Sequence, residues 1–319
     1  SDRLQAGFDE NIPFGQGRFS MNPQRFVNPS GDRPMLGITM LLASLLTMAG
    51  MGALAKILTT DFSVAQILLF RYALATLPFL LLLPRNGGTD TLRVKNPAGL
   101  AIRSVSGITA LSLYFYAIAT IPLADATALA YAAPIFIVIL SVPLLGEVIG
   151  YRRWFAVIVG FVGVLLITQP GGAGWSLGYL AGVGSAFFGA VVSVWLRRLA
   201  PSERTATIAI YYNFTGALFF GVWVLMTGWT VPDIGGLLLL LLLGMLAGPQ
   251  QYLLTASYRY AEASLLAPYD YLAMMFAAGI GYVFWSEIPA LTTWVGCGII
   301  AGSGIFVAYR ERMATRDAH

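Results

Sequence analysis

The chain has 319 residues, of which 57% are hydrophobic and 11% are charged, and its mean hydropathy is +0.74. Soluble domains carry about 25% charged residues, so this composition excludes a water-soluble globular protein and predicts an integral membrane protein. The net charge is +4. The single cysteine, Cys297, and the single histidine, His319 at the last position, exclude an intramolecular disulfide, a Cys/His zinc site and Ser-His or Cys-His catalysis within one chain. The protein is therefore predicted not to be an enzyme, and we expect neither a metal nor a cofactor.

Residues 1–34 form a polar segment that is rich in Gly, Pro, Asn and Arg. The segment lacks the apolar stretch of a signal peptide, and its composition is typical of a mobile tail. Met21 is a candidate translation start, in which case residues 1–20 are an upstream extension.

Ten apolar windows follow, each of about the 20 residues that span the hydrocarbon core of a bilayer. The links between them are short and contain turn formers such as "PRNGG" and "VPD", which leaves no room for a separate soluble domain. The ten predicted spans are residues 35–57, 63–83, 98–119, 123–145, 152–168, 176–196, 205–227, 234–256, 262–285 and 291–309.

The distribution of Lys and Arg predicts the orientation of these spans. With the N-terminus in the cytoplasm, 17 of the 19 basic residues fall on the cytoplasmic side, as the positive-inside rule requires. The exceptions are Lys56, at the end of the first span, and Arg71, inside the second. The opposite loops contain acidic residues, namely Asp61, Asp125, Asp233 and Glu287. Both termini, including a C-terminal tail at 311–319, are predicted to be cytoplasmic, and the positive charge requires no nucleic-acid partner.

An internal repeat becomes visible when the sequence is compared with itself at a shift of 140 residues. The shift aligns Tyr131 with Tyr271, Phe136 with Phe276, Glu147 with Glu287 and Trp154 with Trp294. Each half, residues 35–170 and 175–310, contains five predicted spans, so the second half enters the membrane from the opposite face. This is an inverted-topology repeat, which predicts alternating access around a site between the halves.

The repeated residues also resemble a known family. Each half is similar to an EamA domain of the drug/metabolite transporter superfamily, through "LLGE" ending at Glu147, "FWSE" ending at Glu287, and the "AYAAP", "APYDY" and "YRYAEAS" segments. The resemblance covers roughly residues 35–310. It implies an all-α membrane fold of ten helices in two inverted five-helix repeats, with helices 5 and 10 packed away from a central cavity. The YddG-type aromatic amino acid exporters are the members with which we compare this sequence first.

Two charged residues lie inside predicted spans. Asp270 falls about nine residues into the ninth span, or roughly 13 Å along the helix axis, and Arg71 falls in the second. Such residues usually face a wet cavity or a partner. Asp270 is a candidate counter-ion for a substrate amino group or a carrier of protons, and Arg71 is a candidate partner for a substrate carboxylate. The alternatives are a structural or gating role for each, including an ion pair between them.

Several residues at helix ends or breaks are expected to have structural or gating roles. Lys56 is expected to extend to the membrane interface, and the alternative is that it completes an outer gate. Glu147 and Glu287 are expected to cap a neighbouring helix or bind a loop. Pro134 and Pro268 are expected to interrupt helices and to serve hinge motions.

Aromatic and amide side chains are the remaining candidates for contact with the substrate. Aromatic walls suit flat, amphipathic or cationic solutes, and amides in membrane helices need partners. For each aromatic residue the alternative is lipid-facing packing. The candidate substrate-binding residues, beside Asp270 and Arg71, are Tyr116, Tyr131, Tyr212, Tyr271, Trp195, Gln250, Gln251 and Asn213, the last lying near Arg71 under the repeat.

We therefore expect a secondary transporter in a bacterial-type inner membrane, which exports aromatic or otherwise hydrophobic amino acids by alternating access. Protons are candidate coupling ions, lipid is the surrounding partner, and a monomer or weak dimer is expected. The alternative substrates are other metabolites or cationic drugs, such as a nucleoside, a vitamin or a quaternary amine. The alternatives of another class are a channel and a lipid-handling membrane scaffold.

Overall fold

The computed structural model describes residues 34–81, 92–145, 150–172, 175–199, 202–260, 266 and 269–317. These residues form helices and contain no strand. Two residues with predicted structural roles, Glu147 and Pro268, lie outside the described residues. The helices are α1 (Pro34–Leu58), α2 (Val64–Leu81), α3 (Pro97–Thr120), α4 (Leu123–Ala130), α5 (Ala133–Leu145), α6 (Tyr151–Thr168), α7 (Leu177–Leu199), α8 (Thr205–Thr227), α9 (Ile234–Tyr260), α10 (Leu272–Trp285) and α11 (Leu291–Asp317).

The predicted all-α membrane fold is confirmed. Within the described ranges, 6 helical segments are long and apolar enough to cross a membrane: Pro34–Leu58, Pro97–Thr120, Leu123–Leu144, Leu177–Leu196, Ala206–Thr227 and Ile234–Leu254. The shorter apolar segments, of 10–17 residues, are Val64–Leu77, Trp154–Thr168, Leu272–Trp285 and Leu291–Phe306. Together these segments fall at the ten predicted spans.

The helix boundaries differ from several of the predicted spans. In the ninth, predicted as one helix over 262–285, a turn at Tyr271 precedes α10, which begins at Leu272. The fourth span, predicted as one helix over 123–145, is divided into α4 and α5. The last helix, α11, continues beyond the predicted end at 309 to Asp317, and so includes most of the predicted C-terminal tail.

Pro134 explains the division of the fourth span. A proline has no N–H with which to bond the carbonyl four residues earlier, and its ring clashes with that carbonyl. The residue four positions before Pro134 is Ala130, at which α4 ends, and Pro134 itself lies in the first turn of α5, where proline is tolerated. The predicted interruption at Pro134 is therefore present.

The helices contact one another in a two-fold pattern. The contact between α3 and α7 corresponds to the contact between α9 and α1. In the same way, the contact of α2 with α9 corresponds to that of α8 with α3. The contact of α4 and α5 with α7 corresponds to that of α10 with α1. Three further contacts, α2 with α8, α4 with α10, and α6 with α11, each join helices that the repeat pairs. The helices α6 and α11 pack mainly on each other, as the resemblance implied for helices 5 and 10.

Candidate functional site

Two tyrosines that the repeat pairs, Tyr131 and Tyr271, contact each other where helices are interrupted. Tyr131 follows α4, and Tyr271 precedes α10. Their ring centroids are 6.0 Å apart and their planes are inclined by 51°. Tyr271 also lies against Gly304 of α11, where an added Cβ would collide with its hydroxyl. Two of the predicted substrate-binding residues are thus adjacent, on the helices that join the two halves.

Asp270 lies beside this tyrosine pair and is half-buried. Its chain neighbour Tyr269 packs against an apolar cluster that contains Leu41 and Leu45 of α1, and its other neighbour, Tyr271, packs against the main apolar core. The carboxylate of Asp270 forms no ion pair with any described basic side chain. In this structure Asp270 and Arg71 are not within ion-pair distance of each other, so the ion pair that was one of the alternatives is not formed here.

Arg71 lies on α2 next to a pair of bonded tyrosines. Its guanidinium carbon is 5.4 Å from the ring centroid of Tyr72. Tyr72 is fully buried, and its hydroxyl is 3.0 Å from the hydroxyl of Tyr212 on α8. The predicted substrate-binding residues Arg71 and Tyr212 are thus in one cluster, which links α2 to α8.

Arg103 is a third member of this cluster and was not among the predicted site residues. Its guanidinium carbon lies 3.8 Å from the ring centroid of Tyr212. The nitrogens Nε and Nη1 of Arg103 are buried and have no hydrogen-bond partner among the described residues. The sequence analysis counted Arg103 with the cytoplasmic basic residues, although it lies inside the predicted third span, and this position was the signal that could have identified it.

Lys56 and Glu287 form an ion pair that joins α1 to the residues after α10. The ammonium of Lys56 also donates to the carbonyl of Ile121, at 3.3 Å, and lies 5.1 Å from the ring centroid of Trp285. Glu287 accepts a hydrogen bond of 3.1 Å from the N–H of Leu123, the first residue of α4. Glu287 thus caps a neighbouring helix, as expected for this glutamate.

A second acidic residue, Asp125, is buried in α4, two residues after Leu123, whose N–H binds Glu287. It is 5% exposed, although the sequence analysis placed it in a loop. Its carboxylate accepts a bond of 3.0 Å from the Tyr179 hydroxyl on α7 and one of 2.9 Å from the Thr293 hydroxyl on α11. Asp125 therefore fastens α4 to two other helices.

The amide candidates are mainly engaged within the protein. The side-chain amide of Gln250 on α9 donates to the hydroxyl of Ser44 on α1 at 3.2 Å. The Ser44 hydroxyl in turn donates to the backbone carbonyl of Gln250 at 3.1 Å. Asn213 is 6% exposed and donates to the carbonyl of Ala209 in its own helix at 3.0 Å. Gln251, the next residue of α9, is exposed.

The two remaining aromatic candidates lie on α3 and α7. Tyr116 on α3 is 42% exposed. Trp195 on α7 is half-buried, and the guanidinium of Arg198 lies 5.1 Å from its ring centroid.

A basic cavity of about 220 Å³ lies where α7, α8 and α3 meet. It is lined by Arg93, Lys95, Ser202, Glu203 and Arg204. The carboxylate of Glu203 is 7% exposed and accepts bonds of 2.6 Å from the backbone N–H groups of Lys95 and Asn96. Glu203 thus anchors the start of α3, which positions Arg103. In the described part of the chain, no group of three or more His, Cys, Asp or Glu side chains could bind a metal ion.

Comparison with known proteins gives consistent results. The sequence profile of the EamA-like transporter family matches this chain twice, over residues 35–169 and 176–309. The pseudopaline exporter CntI of Pseudomonas aeruginosa is 33% identical over 82% of this chain and 91% of its own length. The riboflavin transporter of Rhizobium johnstonii is 31% identical over 76% of this chain and 79% of its own length.

A more distant relative and a solved structure extend the likeness over most of the chain. The S-adenosylmethionine uptake transporter of Rickettsia bellii is 26% identical over 88% of this chain and 95% of its own length. One solved crystal structure superimposes with a TM-score of 0.61 over 86% of this chain and 98% of its own, at 21% identity, which is a likeness of fold alone.

Proposed function

Because the chain belongs to the EamA-like transporter family, we propose that it is a secondary carrier that exports aromatic or otherwise hydrophobic amino acids by alternating access. The chain is a membrane transporter by its family. The family does not define the substrate, since the relatives named above are transporters of chemically different solutes.

The observation that supports an amino acid is the presence of two opposite charges that form no ion pair among the described residues. Asp270 on one half and Arg71 on the other form no ion pair with any described side chain. A charge inside a membrane helix costs about 2.5–3.5 kcal/mol on insertion scales, so it is usually retained for function. A zwitterion offers an ammonium group for Asp270 and a carboxylate for Arg71. The proposal requires both side chains to line one pathway during the transport cycle.

The Tyr131–Tyr271 pair supports an aromatic or hydrophobic side chain on that amino acid. The two rings come from opposite halves, and one of them, Tyr271, directly follows Asp270 in the chain. Aromatic rings bind one another in offset or edge-to-face geometry at centroid distances of about 4.5–7 Å. We infer that the substrate side chain contacts these two rings while its amino group faces Asp270.

Alternating access is supported by the two-fold contacts and by the Lys56–Glu287 ion pair. That ion pair, with the bonds to Ile121 and Leu123, ties together the ends of α1, α3, α4 and α10. We propose that this is the closed outer end of the carrier, and that both termini and the basic cavity around Glu203 face the cytoplasm. Exposed apolar residues on α6, such as Phe155 and Ile158, are then in contact with lipid.

The second candidate function is transport of a flat heteroaromatic metabolite. The names of two relatives, the riboflavin transporter and the S-adenosylmethionine uptake transporter, favour it, and the tyrosine pair would suit such a ring as well as an amino acid side chain. A channel and a lipid-handling scaffold are the alternatives of another class, and neither predicts saturable, stereoselective flux of a soluble solute.

The experiment is uptake of radiolabelled solutes into proteoliposomes that contain the purified protein. The panel comprises L- and D-phenylalanine, L-tryptophan, L-leucine, riboflavin, S-adenosylmethionine, a nucleoside and a quaternary amine. Saturable uptake of an L-amino acid with discrimination against its D-form supports the proposal. Uptake of riboflavin or S-adenosylmethionine without any amino acid supports the second candidate, and uptake that is linear in concentration supports a channel.

A further inference from the structure

The guanidinium of Arg103 occupies a narrow slot between α3 and α8. Its central carbon is 3.8 Å from the ring centroid of Tyr212. Gly107 lies beside both groups: an added Cβ there would be 2.7 Å from Nη1 of Arg103 and 2.8 Å from Cε2 of Tyr212. Since a real Cβ does not approach other atoms so closely, the slot depends on a residue without a side chain at position 107.

The slot leaves hydrogen-bond donors unused. Nε and Nη1 of Arg103 are both buried, and in the described residues neither has an acceptor. A guanidinium has five N–H donors and no acceptor. An unpaired buried donor is costly, and one that belongs to a charged group is costlier still. An unpaired buried donor in a native structure therefore calls for an explanation. A ligand that accepts these hydrogen bonds in another step of the transport cycle is such an explanation.

The surroundings add a second positive charge and, among the described residues, no carboxylate that pairs with it. The guanidinium of Arg71 lies 5.4 Å from the ring centroid of Tyr72, whose hydroxyl contacts that of Tyr212, the residue over which Arg103 lies. Neither arginine forms an ion pair with a described carboxylate. Two guanidinium groups at one place in a membrane repel each other unless an anion lies between them, so the cluster is suited to a ligand that carries one.

The hydroxyl groups form a chain that holds Tyr212 over Arg103. Tyr212 donates to the carbonyl of Gly107 at 3.4 Å, and the hydroxyl of Tyr72 is 3.0 Å from that of Tyr212. The N–H groups of a guanidinium point outwards in its plane, and Nε and Nη1 of Arg103 are buried, so an anion reaches them only when a neighbouring side chain moves. Tyr212, whose ring lies over the guanidinium, is such a neighbour. The contact between α2 and α8 changes with that movement.

We propose that Arg103 binds the carboxylate of the transported solute, with Arg71 as the second positive charge, and that displacement of Tyr212 links this binding to the movement of α8 against α2. A guanidinium binds a carboxylate through parallel, charge-assisted hydrogen bonds. The proposal rests on the proposed function, because it requires a solute with a carboxylate. It adds to that function a binding residue for the carboxylate, and it couples carboxylate binding to a movement of α8 against α2.

The test compares an acid with its neutral counterpart. Proteoliposome uptake of labelled L-phenylalanine is measured in competition with unlabelled L-phenylalanine and with L-phenylalaninamide, for the wild type, Arg103→Gln and Arg103→Lys. Loss of one charge-assisted interaction is expected to raise the KM for the acid about 10- to 100-fold in Arg103→Gln, while inhibition by the amide is unchanged. Arg103→Lys retains the charge but not the planar guanidinium, so its KM for the acid is expected to lie between those of the wild type and Arg103→Gln. It replaces Arg103→Gln in the test if that variant does not fold.

Two further variants separate this role from a structural one. Arg198→Gln is the matched control, because Arg198 also stacks near an aromatic ring, Trp195, but is exposed; it should leave the KM unchanged. Tyr212→Phe keeps the ring and removes the hydroxyl that holds it in place, so it should lower the KM about two- to tenfold, the value of one hydrogen bond.

The outcomes separate this proposal from the proposed function. Equal effects of Arg103→Gln on the acid and the amide, or no effect on either, would overturn the Arg103 site alone. A wild type that carries no amino acid but carries another carboxylate with the same dependence on Arg103 would overturn only the amino acid substrate. A wild type that carries only neutral or cationic solutes would overturn both. If the effect is absent in vesicles without anionic lipid, Arg103 binds a lipid phosphate instead, and the proposal is wrong.

Discussion

Lys56 and Glu287, which are 231 residues apart in the chain, form an ion pair at one end of the helix bundle. Their side chains are 13% and 21% exposed, so the pair is largely shielded from solvent. Glu287 at the same time accepts the N–H of Leu123, and Lys56 donates to the carbonyl of Ile121. The pair therefore connects a helix end from each half with the turn between α3 and α4.

The first prediction concerns exchange of these two charges. Lys56→Gln and Glu287→Gln should each lower the melting temperature, and a double-mutant cycle should give a coupling energy of about 1–3 kcal/mol. The exchanged variant, with Lys56→Glu and Glu287→Lys, should recover only part of the stability. The reason is that a lysine at position 287 restores the ion pair but cannot accept the N–H of Leu123.

The measurement is thermal unfolding of the purified protein in detergent, together with the reactivity of a cysteine placed at Trp285. Weakening the ion pair should raise the reactivity of that cysteine towards a membrane-impermeant reagent. Asp61→Asn is the control, because Asp61 is exposed and forms no ion pair with a described residue. Additive single-variant effects would contradict a coupled closure.

The second prediction concerns Asp270. The carboxylate is half-buried and forms no ion pair in the described chain, so its removal relieves a desolvation cost instead of breaking a bond. Asp270→Asn should therefore unfold at or above the temperature of the wild type, and yet lower transport at least about tenfold, the value of one charge-assisted interaction. Parallel unfolding and uptake measurements check this. A variant that loses stability and activity together would point to a structural role.

The third prediction is that removal of Asp125, unlike removal of Asp270, destabilises the protein. This carboxylate accepts bonds from Tyr179 and Thr293, and its removal leaves both hydroxyl groups without their acceptor. Asp125→Ala should lower the free energy of unfolding by about 3 kcal/mol or more. Thr293→Val, which removes one of the two bonds, should cost about 1 kcal/mol. Unfolding in a denaturing detergent measures both, and a tolerated Asp125→Ala would show that these bonds contribute little.

The fourth prediction concerns the contact between α6 and α11. Gly163 and Gly296 pack backbone to backbone: an added Cβ at Gly296 would be 2.7 Å from the Gly163 carbonyl oxygen, and one at Gly163 would be 2.9 Å from the Gly296 carbonyl oxygen. Gly296→Ala should therefore destabilise the protein by about 1–3 kcal/mol. Gly298→Ala is the matched control, since an added Cβ there meets nothing within 4 Å. Equal unfolding temperatures for the two variants would contradict this packing.

The fold could be predicted from the sequence because apolar length acts locally. A bilayer requires about 20 apolar residues per span; 6 described segments reach the length of a span on their own, and the other four are apolar but shorter, at 10–17 residues. The interruption at Pro134 was predicted for the same reason: a proline ring clashes with the carbonyl four residues earlier wherever the helix lies. Glu287 was predicted to cap a helix from its repeated position alone, although its partner, Leu123, could not be named.

The site was less predictable because it depends on which helices meet. Arg103 was counted with the cytoplasmic basic residues, and only the packing of α3 against α8 shows that it stacks on Tyr212. Asp125 was assigned to a loop because it falls close to the start of a span, and its two hydroxyl partners come from distant helices. An ion pair of Asp270 with Arg71 was considered because the charges are opposite, and charge alone carries no information on distance.

The measurement that tests the central claim most directly is counterflow of L-phenylalanine in proteoliposomes. Vesicles loaded with unlabelled L-phenylalanine are diluted into a trace of the labelled amino acid, beside empty vesicles and vesicles that contain Asp270→Asn. An alternating-access amino acid carrier predicts that the label accumulates transiently above its equilibrium level only in the loaded wild-type vesicles. Entry of the label at the same rate in loaded and empty vesicles, or no entry in any of them, would contradict the account.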